Sequence, residues 1–340
     1  MKKILKVIGT IFLVLLLIIV LALLACFFYQ RSAQKKDRAL LMKDGFVNLI
    51  SAGSFDMNMN IYGDGKHKVI AMPGSGDAAF TVDMKMLSEH LSDDISLIVT
   101  PRPGYGLCTD TDEELTTELV VEGTRTALKN AGIEPPYILM PHSMGGLYGT
   151  YWESNYTDEV SGVIFLDTVN SVNEDMSLPA WSYTVGKIAG KMGVMRFLRR
   201  NEDYSEYGEY AKDAAAFNNV NILSPSVMDE LKNFIANSHT AFDSVKTNDI
   251  SKIYVSTNFT KKEDIKDYLI FRDGEYSEEA AEEIWNDSQS DFEKEQLQKR
   301  SEYFEKVGNC KEINLPGSHF MYAQHPEKLS DIINDFVTAK

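Results

Sequence analysis

The chain has 340 residues, 44% hydrophobic and 25% charged, enough apolar material for a large core, which excludes a disordered polymer and a disulfide-stapled miniprotein. Lys and Arg total 34 against 50 Asp and Glu, a net charge of −16, so nucleic acid is repelled and is not the partner. Cys26, Cys108 and Cys310 form no C-x-x-C pair and no zinc-type cluster with histidine, so neither a disulfide framework nor a thiolate metal site is expected.

Charge is unevenly placed along the chain. Residues 1–38 hold seven cations and the single anion Asp37, leaving 27 cations and 49 anions beyond, a net of −22. Within this basic leader, Val7 to Tyr29 gives 23 consecutive residues without a charge. At ~1.5 Å per residue that is about 34 Å of helix, enough to cross the hydrocarbon core of a bilayer. A soluble core helix of that length would carry a polar stripe, and this run has none. A secretory signal has an apolar region of about 7–15 residues and a small-x-small cleavage site, whereas this run is longer and ends in Phe27, Phe28 and Tyr29. Residues 1–38 are therefore expected to be a retained transmembrane anchor with basic flanks. Leu23-Leu24-Ala25-Cys26 resembles a bacterial lipobox, which leaves acylation at Cys26 as a rival fate. Three lysines precede the span and four cations follow it, so charge counting does not orient it. The short basic head is the easier end to retain inside, so the body is expected outside the cytoplasm, tethered to the cell membrane by one pass.

Downstream, apolar strands alternate with helical patterns, the signature of a mostly parallel sheet covered by helices. Residues 55–62 alternate and are separated by Gly63-Asp64-Gly65 from the run 68–72, which predicts a hairpin. A helix is predicted over 79–91 and a strand over 95–100. Thr111-Asp112-Glu113-Glu114 reads as the capping-box start of a helix reaching Asn130. The acids of 110–114 lack the glycine and distal glutamate of a calcium loop, so they predict a helix N-terminus rather than a metal site. A strand over 137–140, a helix over 144–156 and strands over 160–166, 252–256 and 311–315 follow, with a closing helix after Pro326. Roughly 85 residues between 166 and 252 show helical pattern and no strand, too many for an ordinary connection. Residues 168–249 are therefore expected to form a helical cap over a core built from 39–167 and 250–340.

At the strand-to-helix junction stands Pro141-His142-Ser143-Met144-Gly145-Gly146. A nucleophile elbow forces its serine into a strained conformation, and the residues two before and two after must be compact so that strand and helix can approach. Gly145 meets that demand. Pro141 departs from G-x-S-x-G, yet it is compact and ends a strand, where one lost ladder bond is tolerable. Pro73-Gly74-Ser75-Gly76 follows the run 68–72, a turn that would offer the main-chain N–H of Ser75, alongside that of Met144, to a tetrahedral oxyanion. It is not a phosphate loop, because no G-K-[S/T] follows and Asp77 would repel a phosphate. Of six histidines, His319 in Gly317-Ser318-His319-Phe320 lies just beyond the last strand and 176 residues after Ser143, and is the first candidate for the base. His142 adjoins the serine, but neighbouring side chains on a sharp elbow diverge. His67, His90 and His239 read as structural or solvent-facing, and His325 as a cap of the last helix.

With Arg102-Pro103-Gly104-Tyr105-Gly106, these motifs resemble those of α/β-hydrolase-fold serine hydrolases from about Lys68 to the C-terminus. The family's D-R-P-G-Y-G has Pro101 here in place of its acid. The resemblance implies an α/β-hydrolase fold with a helical cap inserted after the sixth strand, and chemistry that needs no cofactor. It also implies acyl transfer: His319 takes the proton of Ser143, the alkoxide attacks an ester-like carbonyl, the Ser75 and Met144 amides hold the oxyanion, and a carboxylate orients the imidazole. In most of the family that acid follows the strand matching 252–256, where Thr260 stands here. Asp167, which directly follows the run 160–166 at a site some of the family's lipases use, is the first choice, and Asp264 or Glu263, slightly beyond Thr260, is the alternative. Related enzymes that displace epoxides or halides use a carboxylate nucleophile, and Ser143 argues against both reactions. The expected function is a membrane-anchored serine esterase or lipase-like hydrolase acting on a small-molecule or lipid ester. A catalytically silent binding protein, or an acyltransferase using the same serine, is the alternative. In the cap, Met176, Trp181, Tyr183, Met192, Met195 and Phe197 suit an acyl pocket or packing between helices, and the basic stretch 187–200 suits a membrane surface or a solvated helix.

Overall fold

The computed structural model describes residues 2–340. Its first element, α1 (Lys2–Lys43), is a helix of 42 residues, about 60 Å at ~1.5 Å per residue. By length and composition it is a candidate membrane span or signal sequence, and none of its most apolar window is buried within the protein. From Gln30 onward the same helix lies on the body, where Leu41 is fully buried with Phe46, Phe217 and Val220. The boundary expected at residue 38 therefore falls inside a continuous helix, which runs without a break from the apolar run onto the body.

A small antiparallel ribbon, β1 (Leu49–Ser51) and β2 (Asp56–Asn58), precedes the main sheet. That sheet holds β3 (Asn60–Tyr62), β4 (His67–Met72), β5 (Ile95–Val99), β6 (Tyr137–Pro141), β7 (Val160–Leu166), β8 (Ser251–Ser256) and β9 (Cys310–Asn314). The order is β3-β5-β4-β6-β7-β8-β9, with β3 antiparallel to β5 and every other pair parallel. The hairpin predicted from residues 55–62 and 68–72 does not form. The run breaks at Met59, β2 pairs with β1, and β3 pairs with β5, Ile61 opposite Ile98. Both edges of β4 are already taken by β5 and β6, so the incoming strand finds a free ladder only on β5.

The central strands are apolar on both faces because helices cover both. Ile70, Leu139 and Phe165 pack toward α3 (Thr117–Asn130) and α4 (Gly145–Asn155), through Leu128, Leu147 and Trp152. Val69, Ile138 and Ile164 pack toward α2 (Phe80–Ser88), through Phe80 and Leu87. The predicted start of α3 at Thr111 is displaced: Thr116 is the N-cap and its hydroxyl accepts from Leu119 N at 3.2 Å. Residues 110–116 stay non-helical because the Leu115 carbonyl accepts from Asn237 and the Asp110 carboxylate accepts from Ser226 N, contacts a helix would forgo.

Between β7 and β8 the chain forms α5 (Ala180–Met192), α6 (Val194–Leu198), α7 (Ala211–Val220), α8 (Pro225–Lys232) and α9 (Phe234–Asp243). A second helical insertion, unanticipated from the sequence, lies between β8 and β9: α10 (Asp264–Asp273), α11 (Glu278–Ser288) and α12 (Asp291–Val307). The short α13 (Met321–Gln324) and closing α14 (Pro326–Thr338) complete the layer on α2, burying Met321, Leu329 and Ile333.

Candidate active site

The carboxyl ends of β4 and β6 lie side by side, Met72 opposite Pro141, while β5 and β7 flank them on opposite sides. The chain reverses its winding at this point, and ligands of open parallel sheets bind outside the carboxyl ends there. The turn after β4 carries Ser75 and the turn after β6 carries Ser143, which brings the two motifs together.

Ser143 has φ +51°, a left-handed conformation that costs a non-glycine residue about 1–3 kcal/mol. The surrounding backbone holds it there. Its N–H donates to Leu166 O at 3.1 Å, and its carbonyl accepts from Gly146 N at 3.0 Å and Val169 N at 3.1 Å. A Cβ on Gly145 would stand 2.8 Å from Met72 O and 2.9 Å from Pro73 O, so only glycine lets α4 begin this close to the turn. The Pro141 ring lies over Gly149, where an added Cβ would be 2.7 Å from it. The bulk introduced at 141 is thus absorbed farther along α4. Met144 is the N-cap of α4, so its N–H also carries the positive end of the helix dipole. Neither the Met144 nor the Ser75 N–H has a protein acceptor among the described residues.

His319 Nδ1 lies 2.8 Å from Asp167 Oδ2, and Thr257 Oγ1 donates to the same oxygen at 2.8 Å. Asp167 directly follows β7 with φ +42°, and its N–H donates to Val255 O at 2.9 Å. Burial pushes its carboxyl up, but the hydrogen bond and charge of His319, with the Thr257 hydroxyl, outweigh that and hold it below the usual range. Glu263 and Asp264 do not fill this place: Glu263 is the N-cap of α10, Asp264 its first residue, and neither bonds to His319. Thr257 escaped the sequence reading. It directly follows β8, the strand after which an acid was sought, and it supplies a hydroxyl to the acid on the neighbouring strand instead. Ser143 and His319 face one cavity of about 900 Å³ that Thr257 and Met176 also line. No Oγ–Nε2 hydrogen bond joins them, as is common before substrate tightens a site.

His142 turns away from the serine and under His319. It is buried, its Nε2 is 3.0 Å from the His319 carbonyl, and its ring stacks on Phe80. His325 does not cap α14 with its side chain; its Nε2 reaches Pro316 O at 3.3 Å. Burial, then the neighbouring His319, push His142 down to about 3, so it is the neutral ring that donates to that carbonyl. Burial pushes Asp77 the opposite way, up to about 6, against the Tyr322 hydroxyl and the charges of Arg102 and His319. The signs differ. An unfolded histidine takes up a proton near 6.5 while folded His142 does not, so stability falls as pH drops from 6.5 toward 3, by up to roughly 1 kcal/mol per pH unit. The stabilisation from Asp77 is full below 3.8 and disappears as pH rises through about 6. Because Asp77 is common to both proteins, His142→Gln is expected to lose less stability than wild type between pH 6.5 and 4. Thermal midpoints of the two, measured across that interval, check this; parallel curves would contradict a neutral His142.

A buried network ties the Ser75 turn to the cap. Arg102 Nη1 donates to Pro73 O at 2.5 Å and Nη2 to Gly74 O at 2.9 Å, while Nε bonds Glu230 of α8. The Tyr105 and Tyr148 hydroxyls donate to the Glu230 carboxylate at 2.5 Å each, and Gly76 N donates to the Tyr105 hydroxyl at 3.1 Å. Arg102 and Glu230 are 2% and 0% exposed. The arginine-containing motif was legible in the sequence; its partner, one glutamate on a cap helix, carried no signal.

No known family model matches the chain. It is 34% identical over 167 residues to the uncharacterized protein YbdG of Bacillus subtilis, covering 49% of this chain and 51% of that one. Over 78 residues it is 31% identical to an uncharacterized protein of Schizosaccharomyces pombe, covering 23% of this chain and 15% of that one. The chain thus spans about half of one curated relative it matches and 15% of the other. Among solved structures it is similar to the epoxide hydrolase CorEH, with TM-score 0.59 and 14% identity over 86% of this chain and 98% of that one. A bromoperoxidase from Bacillus anthracis gives TM-score 0.57 and 17% identity over 86% and 99%. An esterase from Thermogutta terrifontis gives 0.54 and 12% over 86% and 98%.

Proposed function

We propose that this chain, whose fold is the α/β-hydrolase fold, is a membrane-anchored serine hydrolase that cleaves a carboxylic ester through an acyl-serine intermediate. The observation that carries the reading is one cavity lined by strained Ser143 and by a His319 imidazole whose Nδ1 is engaged by Asp167 at 2.8 Å. With Nδ1–H given to Asp167, Nε2 is left as the acceptor. It takes the Ser143 proton as Oγ attacks the carbonyl carbon, and the carbonyl electron pair moves to the oxygen, held by the Ser75 and Met144 amides. The tetrahedral intermediate collapses, the leaving alkoxide takes the proton from His319, and water repeats the sequence on the acyl-enzyme. Asp167 remains ionised throughout and stabilises the imidazolium.

A serine at 143 supports ester cleavage over epoxide opening, although an epoxide hydrolase is among the structural neighbours, since an alkyl–serine ether has no acyl carbonyl for water to attack. Turnover of short-chain p-nitrophenyl esters by the detergent-solubilised full chain tests the reading. Ser143→Ala is expected to lower kcat by at least about 10⁴-fold with unchanged far-ultraviolet circular dichroism. Hydrolysis that survives the substitution would remove Ser143 as nucleophile.

A further inference from the structure

The cap carries an exposed apolar face whose position relative to α1 is fixed. On α5, Trp181, Val185 and Ile188 are 68%, 51% and 57% exposed, spaced four and three residues apart so that they share one side of the helix. Leu178 precedes them, and Phe197 and Leu198 on α6 are 52% and 63% exposed. Scattered apolar residues are ordinary on a soluble surface, but a continuous face of them marks an interaction site.

Three observations say what covers it. The turn between α5 and α6 touches α1 at the end of its charge-free run: a Cβ on Gly193 would lie 3.1 Å from Cys26 O and 2.5 Å from Gln30 Cβ. Arg196 then clamps α6 alongside α1, donating to Gln30 Oε1 at 2.5 Å, Asp37 Oδ2 at 2.5 Å and Asn219 O at 2.8 Å. The apolar face is thus held at the level of Phe27, Phe28 and Tyr29, aromatic residues of the kind that sit where a span meets the lipid headgroups. The charge also fits. Residues 187–200 hold five cations and no acid; Lys187, Arg196 and Arg199 are paired with Asp229, Asp37 and Glu202, while Lys191 and Arg200 form no ion pair among the described residues and are left to meet anionic headgroups. Finally, Met176 is 57% exposed and also lines the catalytic cavity, so apolar surface continues from Leu178 to the cavity mouth.

We propose that the outer face of α5 and α6 lies in the headgroup boundary of the membrane that holds α1, and that the cavity draws an amphiphilic ester from that boundary. The docking half rests on α1 being a membrane anchor, and the substrate half on Ser143 being the nucleophile.

The full chain is reconstituted in phosphatidylcholine–phosphatidylglycerol vesicles with or without brominated acyl chains, and tryptophan emission is compared for wild type and Trp181→Phe. Bromine is expected to remove the share of emission that Trp181 contributes; an unquenched Trp181 share overturns the docking, whether or not Ser143 reacts. In the second arm, Trp181→Asp/Ile188→Asp is expected to lose hydrolysis of a long-chain ester carried in the vesicles and to keep wild-type hydrolysis of a soluble short-chain ester. Equal loss of both activities, or loss of neither, overturns delivery from the bilayer. A wild type inactive on both esters contradicts the serine hydrolase instead, one active on the soluble ester alone overturns delivery, and quenching of Trp181 still decides the docking.

Discussion

Asp167→Asn is expected to lower kcat for ester hydrolysis by about 10⁴-fold, with KM little changed. The asparagine keeps the shape of the acid but replaces an acceptor by an amide that can donate. Its Nδ2 donates to His319 Nδ1 across the 2.8 Å gap, which leaves the ring proton on Nε2, the atom that must accept from Ser143. The imidazolium also loses its counter-charge, a carboxylate 2.8 Å away that stabilises the positive ring formed during the reaction. The same substitution at Asp264, and Glu263→Gln, are expected to leave turnover unchanged, because both residues only open α10. Stopped-assay kinetics on the three variants check the assignment. Near-wild-type turnover in Asp167→Asn, or a large loss in Asp264→Asn, would contradict it.

Glu230→Ala is expected to destabilise the protein by about 3–5 kcal/mol, lowering the thermal midpoint by on the order of 10 °C. The carboxylate is fully buried and receives Arg102 and two tyrosine hydroxyls. Its removal strands a guanidinium with no water to replace the lost acceptor. Arg102 also donates to Pro73 O and Gly74 O, so displacement of the guanidinium loosens the turn that presents Ser75, and kcat falls together with stability. Glu230→Gln keeps the shape and is expected to retain more stability than the alanine variant. Arg102→Lys is expected to fail as a replacement, because an ammonium cannot span Glu230 and two carbonyls as a planar fork does. By contrast, breaking the exposed pair of Lys294 with Asp291 is expected to have no measurable effect. An unchanged midpoint for Glu230→Ala would show that the network does not hold the cap to the core.

Local constraints made much of this legible in the sequence. The strands β4 to β8 read as apolar runs because helices bury both of their faces, and Ser143 stood out because Gly145 must be small. What was lost depended on pairing across long separations. Nothing in the run 55–62 reveals that β4 already has a neighbour on each edge, so the sequence suggested a hairpin where the chain crosses to β5. The acidic stretch 110–116 has the composition of a helix start, yet Asn237 and Ser226, more than a hundred residues away, hold it open. Asp167 and Glu263 looked comparable because local sequence does not say which carboxyl meets His319; the 2.8 Å contact between ends of different strands does. The helices α10 to α12 are strongly charged with only a narrow apolar stripe, and they merged with the core segment around them. The fixed angle between α1 and the cap was invisible for the same reason, since Arg196 and Asp37 are 159 residues apart.

The central claim is that Ser143 is an activated nucleophile, and a fluorophosphonate tests it without knowledge of the substrate. Full-length protein in detergent is treated with the reagent and the labelled peptide is read by mass spectrometry. One covalent adduct is expected on the peptide containing Ser143, absent from Ser143→Ala and strongly slowed in His319→Ala. A folded wild-type protein that takes up no label, or carries it on another residue, would contradict the account.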